Sequence, residues 1–321
     1  MRTSARLLAA VLFAVAGMAS VASAQDYPNK PIRIVVPFGP GTGPDVLARV
    51  VSRQLETQLK QSILIENRGG ANGSIGARVV ALAPPDGYTL LYTPTAFSIN
   101  PSVYKSLPFD TRKDFTPVAD IGLGIGLFLL VNPKLPVKTV PELIEYGKAH
   151  PLAFGSPGVG NSLHLAGELF NVRTGLKMVH VPFNATGAIS TALLAGDIQV
   201  LFIAPAAAVA NIQSGALRAL AFTGPEPHPL FPDVPLIGSY VKDFSLLGWQ
   251  GFLAPAGTPA VIVDLLNAEI RKAMTVPKIA EAILDGGYRA SGMNATQFAS
   301  YLDGELTRWG EAVRAAGIEP H

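Results

Sequence analysis

The chain has 321 residues, 49% of them apolar and only 15% charged, which excludes a disordered protein because such a chain can bury a core. It has no cysteine, which excludes a disulfide framework, a thiolate metal site, a cysteine nucleophile and a cysteine-linked lipid anchor. Lys and Arg number 25 against 23 Asp and Glu, and Arg2 and Arg6 at the extreme N-terminus account for the excess, so no basic stripe suits the phosphates of a nucleic acid.

Residues 1–24 read as a signal peptide. Arg2 and Arg6 form a basic head, residues 7–18 an apolar run, and Ala22-Ser23-Ala24 a cleavage pattern before Gln25. The run is shorter than the ~20 apolar residues a bilayer span needs. The next best apolar segment, 121–131, is interrupted by Gly122, Gly124 and Gly126. The expected mature protein is exported without stable membrane insertion, and in a bacterium with two membranes it resides in the periplasm.

Residues 32–36 are a β-branched run ended by Pro37, and Gly39-Pro40-Gly41-Thr42-Gly43 leads into a helical pattern over 44–59. Strands are expected at 63–65 and 88–92. A helix over 73–82 stops at Pro84-Pro85-Asp86-Gly87. Alternation resumes with helices at 141–149, 162–173 and 188–195 between strands at 152–154, 178–181, 198–203 and 217–222. Helices at 259–274, 277–284 and 296–316 follow. The pattern predicts parallel sheets covered by helices. Two α/β units fit the length, without a linker, so the chain is expected to cross between them on strands at 119–132 and to return within 217–253. The expected division is 25–124 with 225–321 as one domain and 125–224 as the other.

Two glycine-rich loops each follow a strand and open a helix: Phe38-Gly39-Pro40-Gly41-Thr42-Gly43, and Ser156-Pro157-Gly158-Val159-Gly160-Asn161-Ser162. A helix start leaves backbone N–H groups unpaired and carries partial positive charge, so each unit offers an anion site. Thr42, Ser156 and Ser162 are expected to add hydroxyl donors, and Thr93 and Thr95 stand at a strand end where α/β proteins bind ligands. Neither loop holds Lys or Arg. A dinucleotide fingerprint fails because Pro44 stands where Gly is needed, and no P-loop, G-x-S-x-G elbow or H-E-x-x-H is present. The histidines, at 150, 164, 180, 228 and 321, are far apart in sequence, and no metal or cofactor is expected. Asp45 reads as a helix-start residue, Arg68 as the partner of a nearby carboxylate or carbonyl, and Trp249, Gln250 and Phe252 as core.

Tyr27-Pro28, Lys30-Pro31-Ile32-Arg33, Val36-Pro37-Phe38, Glu66-Asn67-Arg68-Gly69-Gly70, Pro84-Pro85-Asp86-Gly87-Tyr88, His164-Leu165-Ala166-Gly167-Glu168, His180-Val181-Pro182-Phe183 and Leu253-Ala254-Pro255-Ala256-Gly257 stand in an order that resembles the tripartite tricarboxylate transporter substrate-binding proteins, the TctC or Bug receptors. The resemblance implies a type II periplasmic binding protein fold. Two α/β domains would be joined by crossing strands, with a small organic anion, usually a carboxylate, in the cleft and a membrane permease of two integral subunits as partner. It implies ligand contacts from Phe38, Gly39, Gly41, Thr42, Thr93, Thr95, Ser156, Gly158, Gly160, Asn161, Ser162 and His164, and from the positions of Asn184 and Ala204. Asn184 replaces a common Lys and Ala204 a frequent Asp, so the ligand expected is a less charged or more apolar acid, aromatic or short aliphatic, and not an amino acid. The rival readings are a ligand-presenting component for a sensor kinase or chemoreceptor, and an exported hydrolase using Ser162 or Ser156 with His164.

Overall fold

The computed structural model describes residues 27–183, 186–242, 244 and 246–320. The signal segment and Asn184 lie outside them. The elements in chain order are β1 (Ile32–Val36), α1 (Gly43–Leu59), β2 (Ile63–Asn67), a 3-10 turn (Ala71–Gly73), α2 (Ser74–Ala81), β3 (Thr89–Pro94), α3 (Ala96–Val103), β4 (Phe115–Gly124) and β5 (Phe128–Val131). They continue with α4 (Val140–Ala149), β6 (Ala153–Ser156), α5 (Ser162–Thr174), β7 (Val179–Pro182), α6 (Thr186–Ala195), β8 (Val200–Ile203), α7 (Pro205–Gln213) and β9 (Arg218–Phe222). The chain ends with β10 (Trp249–Pro255), α8 (Ala260–Met274), α9 (Pro277–Asp285), β11 (Tyr288–Arg289) and α10 (Ala295–Ala315).

The strands form a six-stranded sheet ordered β11-β4-β10-β3-β1-β2 and a five-stranded sheet ordered β7-β6-β8-β5-β9. β1, β2 and β3 run parallel, as do β6, β7 and β8. The sheets are mixed where the sequence predicted parallel ones, because β10 and β5 pair antiparallel with their neighbours. The cause is the crossing itself. β4 and β9 end at the junction between the sheets, and β5 and β10 each enter a sheet from that junction.

The crossing segments are bound to one another. Gly124 N–H donates to Gly248 O at 2.7 Å, Thr223 N–H to Leu127 O at 2.8 Å, and Leu127 N–H to the Thr223 hydroxyl at 2.7 Å. A Cβ on Gly224 would lie 2.2 Å from Ile125 O, so only glycine admits this approach.

Both faces of each sheet are buried. Ile34, Val36, Tyr92 and Phe252 pack with α1 and α8 on one face of the larger sheet, while Val35, Leu91 and Trp249 pack with Phe298 and Leu302 of α10 on the other. The C-terminal helix spans both lobes, since Trp309 and Val313 at its far end share a core with Phe154, Phe170 and Phe202 of the smaller sheet. Its start is fixed by a capping box between Asn294 and Gln297. Among the described residues, no helix is long and apolar enough to cross a membrane.

Candidate functional site

The first glycine loop leaves the carboxyl end of β1 and opens α1, whose second residue is Pro44. Cβ atoms placed on Gly39, Gly41 or Gly43 would meet nothing within 4 Å, so this backbone faces open space. The loop is braced from behind. Asp45 is buried, with 2% exposure, and one carboxylate oxygen accepts the Gly41 N–H at 2.8 Å. The other oxygen accepts Arg49 Nε at 3.0 Å and Asn67 Nδ2 at 2.8 Å, and Asn67 Nδ2 also donates to Phe38 O at 2.9 Å. Burial pushes the Asp45 carboxyl up, but these hydrogen bonds outweigh it and hold it below the usual carboxylate range. The first loop therefore carries its own anion at Gly41. Among the described residues, no acceptor stands on the N–H groups of Gly43 and Asp45, the next two donors of the helix start.

The second loop joins β6 to α5. Asn161 caps α5 by accepting the Leu163 N–H at 2.9 Å, which leaves the N–H groups of Ser162 and His164 open. Gly158 faces open space, whereas a Cβ on Gly160 would lie 2.9 Å from Val103 Cγ2 on α3. The loop thus rests on the other lobe. The Asn72 side chain, in the 3-10 turn, reaches Gly160 O at 3.5 Å while donating to Asn100 Oδ1 at 2.8 Å. That turn also packs on the first loop, because a Cβ on Gly73 would lie 3.4 Å from the Phe38 ring. The 3-10 turn thus touches both loops.

Three hydroxyls expected to face a ligand already have partners within the protein, that of Thr42 at the exposed surface. Thr42 donates to Gly39 O at 2.7 Å, Ser156 is fully buried with its hydroxyl 3.0 Å from Gly158 O, and Thr95 accepts the Trp249 N–H at 2.7 Å. Short glycine-rich loops leave their own carbonyls unpaired, and a hydroxyl two or three residues away satisfies them. Among the described residues, the hydroxyls of Ser162 and Thr93 have no protein partner. Ala204 starts α7 and stands beside Gly287, the residue before β11. Arg68 pairs with Glu66, and Trp249, Gln250 and Phe252 are buried, as the sequence predicts.

His164 is buried, with 5% exposure, and its ring lies 4.1 Å from that of His180. His164 Nδ1 accepts the Gly160 N–H at 3.3 Å, and Nε2 faces Glu168 at 3.6 Å. Burial raises the Glu168 carboxyl, but hydrogen bonds from His164 and Asn171 reverse the shift. His180 Nε2 lies 2.7 Å from Ser156 Oγ. Burial, then the neighbouring His164, lower the His180 pKa to about 4. Neither serine meets His164, so the serine–histidine pair considered for a hydrolase is not formed. Sequence reasoning missed His180, Asn67, Asn72 and Asn100. Only the four-residue spacing of Asp45 and Arg49 carried a signal.

A cavity of about 280 Å³ beside the crossing segments is lined by Ile125, Phe222, His228, Leu247, Arg289 and Ser291, and by no residue of either glycine loop. Among the described residues, no group of three or more His, Cys, Asp or Glu is placed to hold a metal ion.

Proteins of known sequence and structure resemble this chain along most of its length. Protein BugT of Bordetella pertussis is 35% identical over 321 residues, covering 98% of each chain. The structure of R. palustris Rpa4515 with adipate matches at a TM-score of 0.83 with 30% identity, over 92% of this chain and 100% of that one. MatC (Rpa3494) from Rhodopseudomonas palustris, solved with bound malate, matches at 0.79 with 29% identity, over 89% of this chain and 100% of that one. A model of the tripartite tricarboxylate transporter family receptor matches residues 47–318, and the chain, with its two α/β lobes, belongs to that receptor family.

Proposed function

We propose that this protein is an exported solute receptor that holds a small organic carboxylate between its two glycine loops and delivers it to the integral membrane subunits of a tripartite tricarboxylate transporter. What supports the reading is the pair of open helix starts, Gly43 and Asp45 in one lobe and Ser162 and His164 in the other, with the 3-10 turn in contact with both loops. Open N–H groups at a helix start favour an anion without a fixed cation. Ser162 and Thr93 supply hydroxyl donors, and Phe38, Gly39, Gly158, Gly160 and Asn161 form the backbone wall. The relatives bound to adipate and malate support the ligand class.

The lobes comprise 25–124 with 225–321, and 125–224, and a carboxylate bridging them draws them together about the crossing segments. Residues 1–24 are the export signal, cleaved after Ala24. Asn184 and Ala204 give the second lobe neither a cation nor an amine partner, which favours a singly charged or largely apolar acid over an amino acid.

Calorimetric titration with adipate, malate, citrate, aspartate and a series of aromatic and short aliphatic monocarboxylates tests this. Saturable binding of an aromatic or aliphatic acid is expected. Binding of none of these acids removes the receptor reading, and tight binding of citrate or aspartate with no response to monocarboxylates removes the ligand assignment.

A further inference from the structure

We propose that the rings of His164 and His180 are positioning groups that clamp the two glycines of the second loop and so aim its open N–H groups at the ligand, neither ring touching the ligand itself. The proposal rests on the receptor reading for its functional consequence.

The hydrogen-bond valences specify the clamp. Ser156 Oγ has one proton and two lone pairs. Gly158 N–H lies 3.2 Å from Oγ and donates to it, while Gly158 O lies 3.0 Å away and accepts. Gly158 O also accepts the Asn161 N–H at 3.3 Å; with the serine proton assigned to that carbonyl as well, His180 supplies the proton on the 2.7 Å contact from Nε2 to Oγ. His180 is therefore a neutral imidazole protonated at Nε2. His164 accepts the Gly160 N–H at Nδ1, so its own proton is also at Nε2, on the side of Glu168. The His164 ring, 4.1 Å away and tilted by 46°, adds to burial in favouring the neutral form of His180. His180 fixes Gly158 through Ser156, and His164 fixes Gly160 directly. Gly158 and Gly160 have φ of +137° and +76°, and a loop of such residues has many alternatives without these restraints. The two rings come from different elements, α5 and β7, and Phe154 packs against both.

The test combines imidazole nitrogen NMR of the ligand-free protein at neutral pH with titrations of adipate and of the tightest monocarboxylate in the panel. Both rings are expected as neutral tautomers protonated at Nε2. His164→Asn places an amide oxygen where Nδ1 stood, and is expected to keep the Gly160 amide resonance and the affinity. His164→Ala is expected to shift that resonance and weaken binding about tenfold, the scale of one hydrogen bond. His180→Gln keeps a donor toward Ser156 and is expected to bind as the wild type does. An Nδ1-protonated or charged His164, or native affinity in folded His164→Ala, overturns the proposal. If the wild type binds neither acid, the receptor reading falls, while the tautomers and the Gly160 resonance still decide whether the clamp exists.

Discussion

Asp45 holds the Gly41 amide at 2.8 Å, so a side chain of the protein occupies the first anion position of the first loop. The following N–H groups are then the ones left for the proposed ligand, with the loop already set. Asp45→Ala removes the acceptor for Gly41, Arg49 and Asn67 together. A loss of about 1 kcal/mol is expected for the hydrogen bonds removed from these partly exposed donors, together with weaker carboxylate binding. Chemical denaturation and calorimetry of the same variant check the two effects.

Gly126 and Gly224 meet where the chain crosses between lobes, and a Cβ on Gly126 would lie 2.5 Å from Gly224 N. Gly126 also has φ of +136°. Gly126→Ala is expected to destabilise the fold by roughly 1–3 kcal/mol from backbone strain alone, with the close contact adding to it. A thermal melt measures the loss. An unchanged midpoint would show that the crossing segments tolerate separation.

His180 gives a pH dependence with a definite sign. Its folded pKa of about 4 lies below its ordinary value of 6.5, so the folded state resists a proton that the unfolded state accepts. The stability linked to its neutral form is present above about pH 6.5 and is lost as pH falls toward 4. Denaturation across this range is expected to show a steeper acid loss in the wild type than in His180→Gln, which cannot titrate. Parallel curves would contradict the shift.

Trp309 ties the C-terminal helix to the core of the smaller sheet and is 1% exposed. Trp309→Ala is expected to cost about 3–5 kcal/mol, the range for emptying an aromatic core site. Denaturant titration followed by circular dichroism reads it. A loss below about 1 kcal/mol would mean that the helix end is not part of that core.

Much of this architecture was legible in the sequence because its strands are β-branched runs closed by Pro and Gly, and its helices start at recognisable residues. α3 escaped because Ala96 through Asn100 are all buried, which erases the amphipathic period, and Pro101 stands inside it. α7 escaped because Pro205 begins an alanine-rich run with no side-chain cap before it. The loops were visible as strand–glycine–helix units, yet the use of their hydroxyls was not, since Thr42 and Ser156 serve carbonyls within the turn. His180 was hidden for another reason. It approaches Ser156 only through the parallel register of β6 and β7, which pairs it with Phe154, and that register is set by the sheet as a whole.

A crystal structure with the tightest acid from the calorimetric panel tests the proposed carboxylate seat between the two helix starts. Carboxylate oxygens are expected within hydrogen-bond distance, directly or through one water, of the Gly43 or Asp45 N–H in one lobe and the Ser162 or His164 N–H in the other. An acid seated instead in the cavity beside the crossing segments, at Arg289, would contradict that seat.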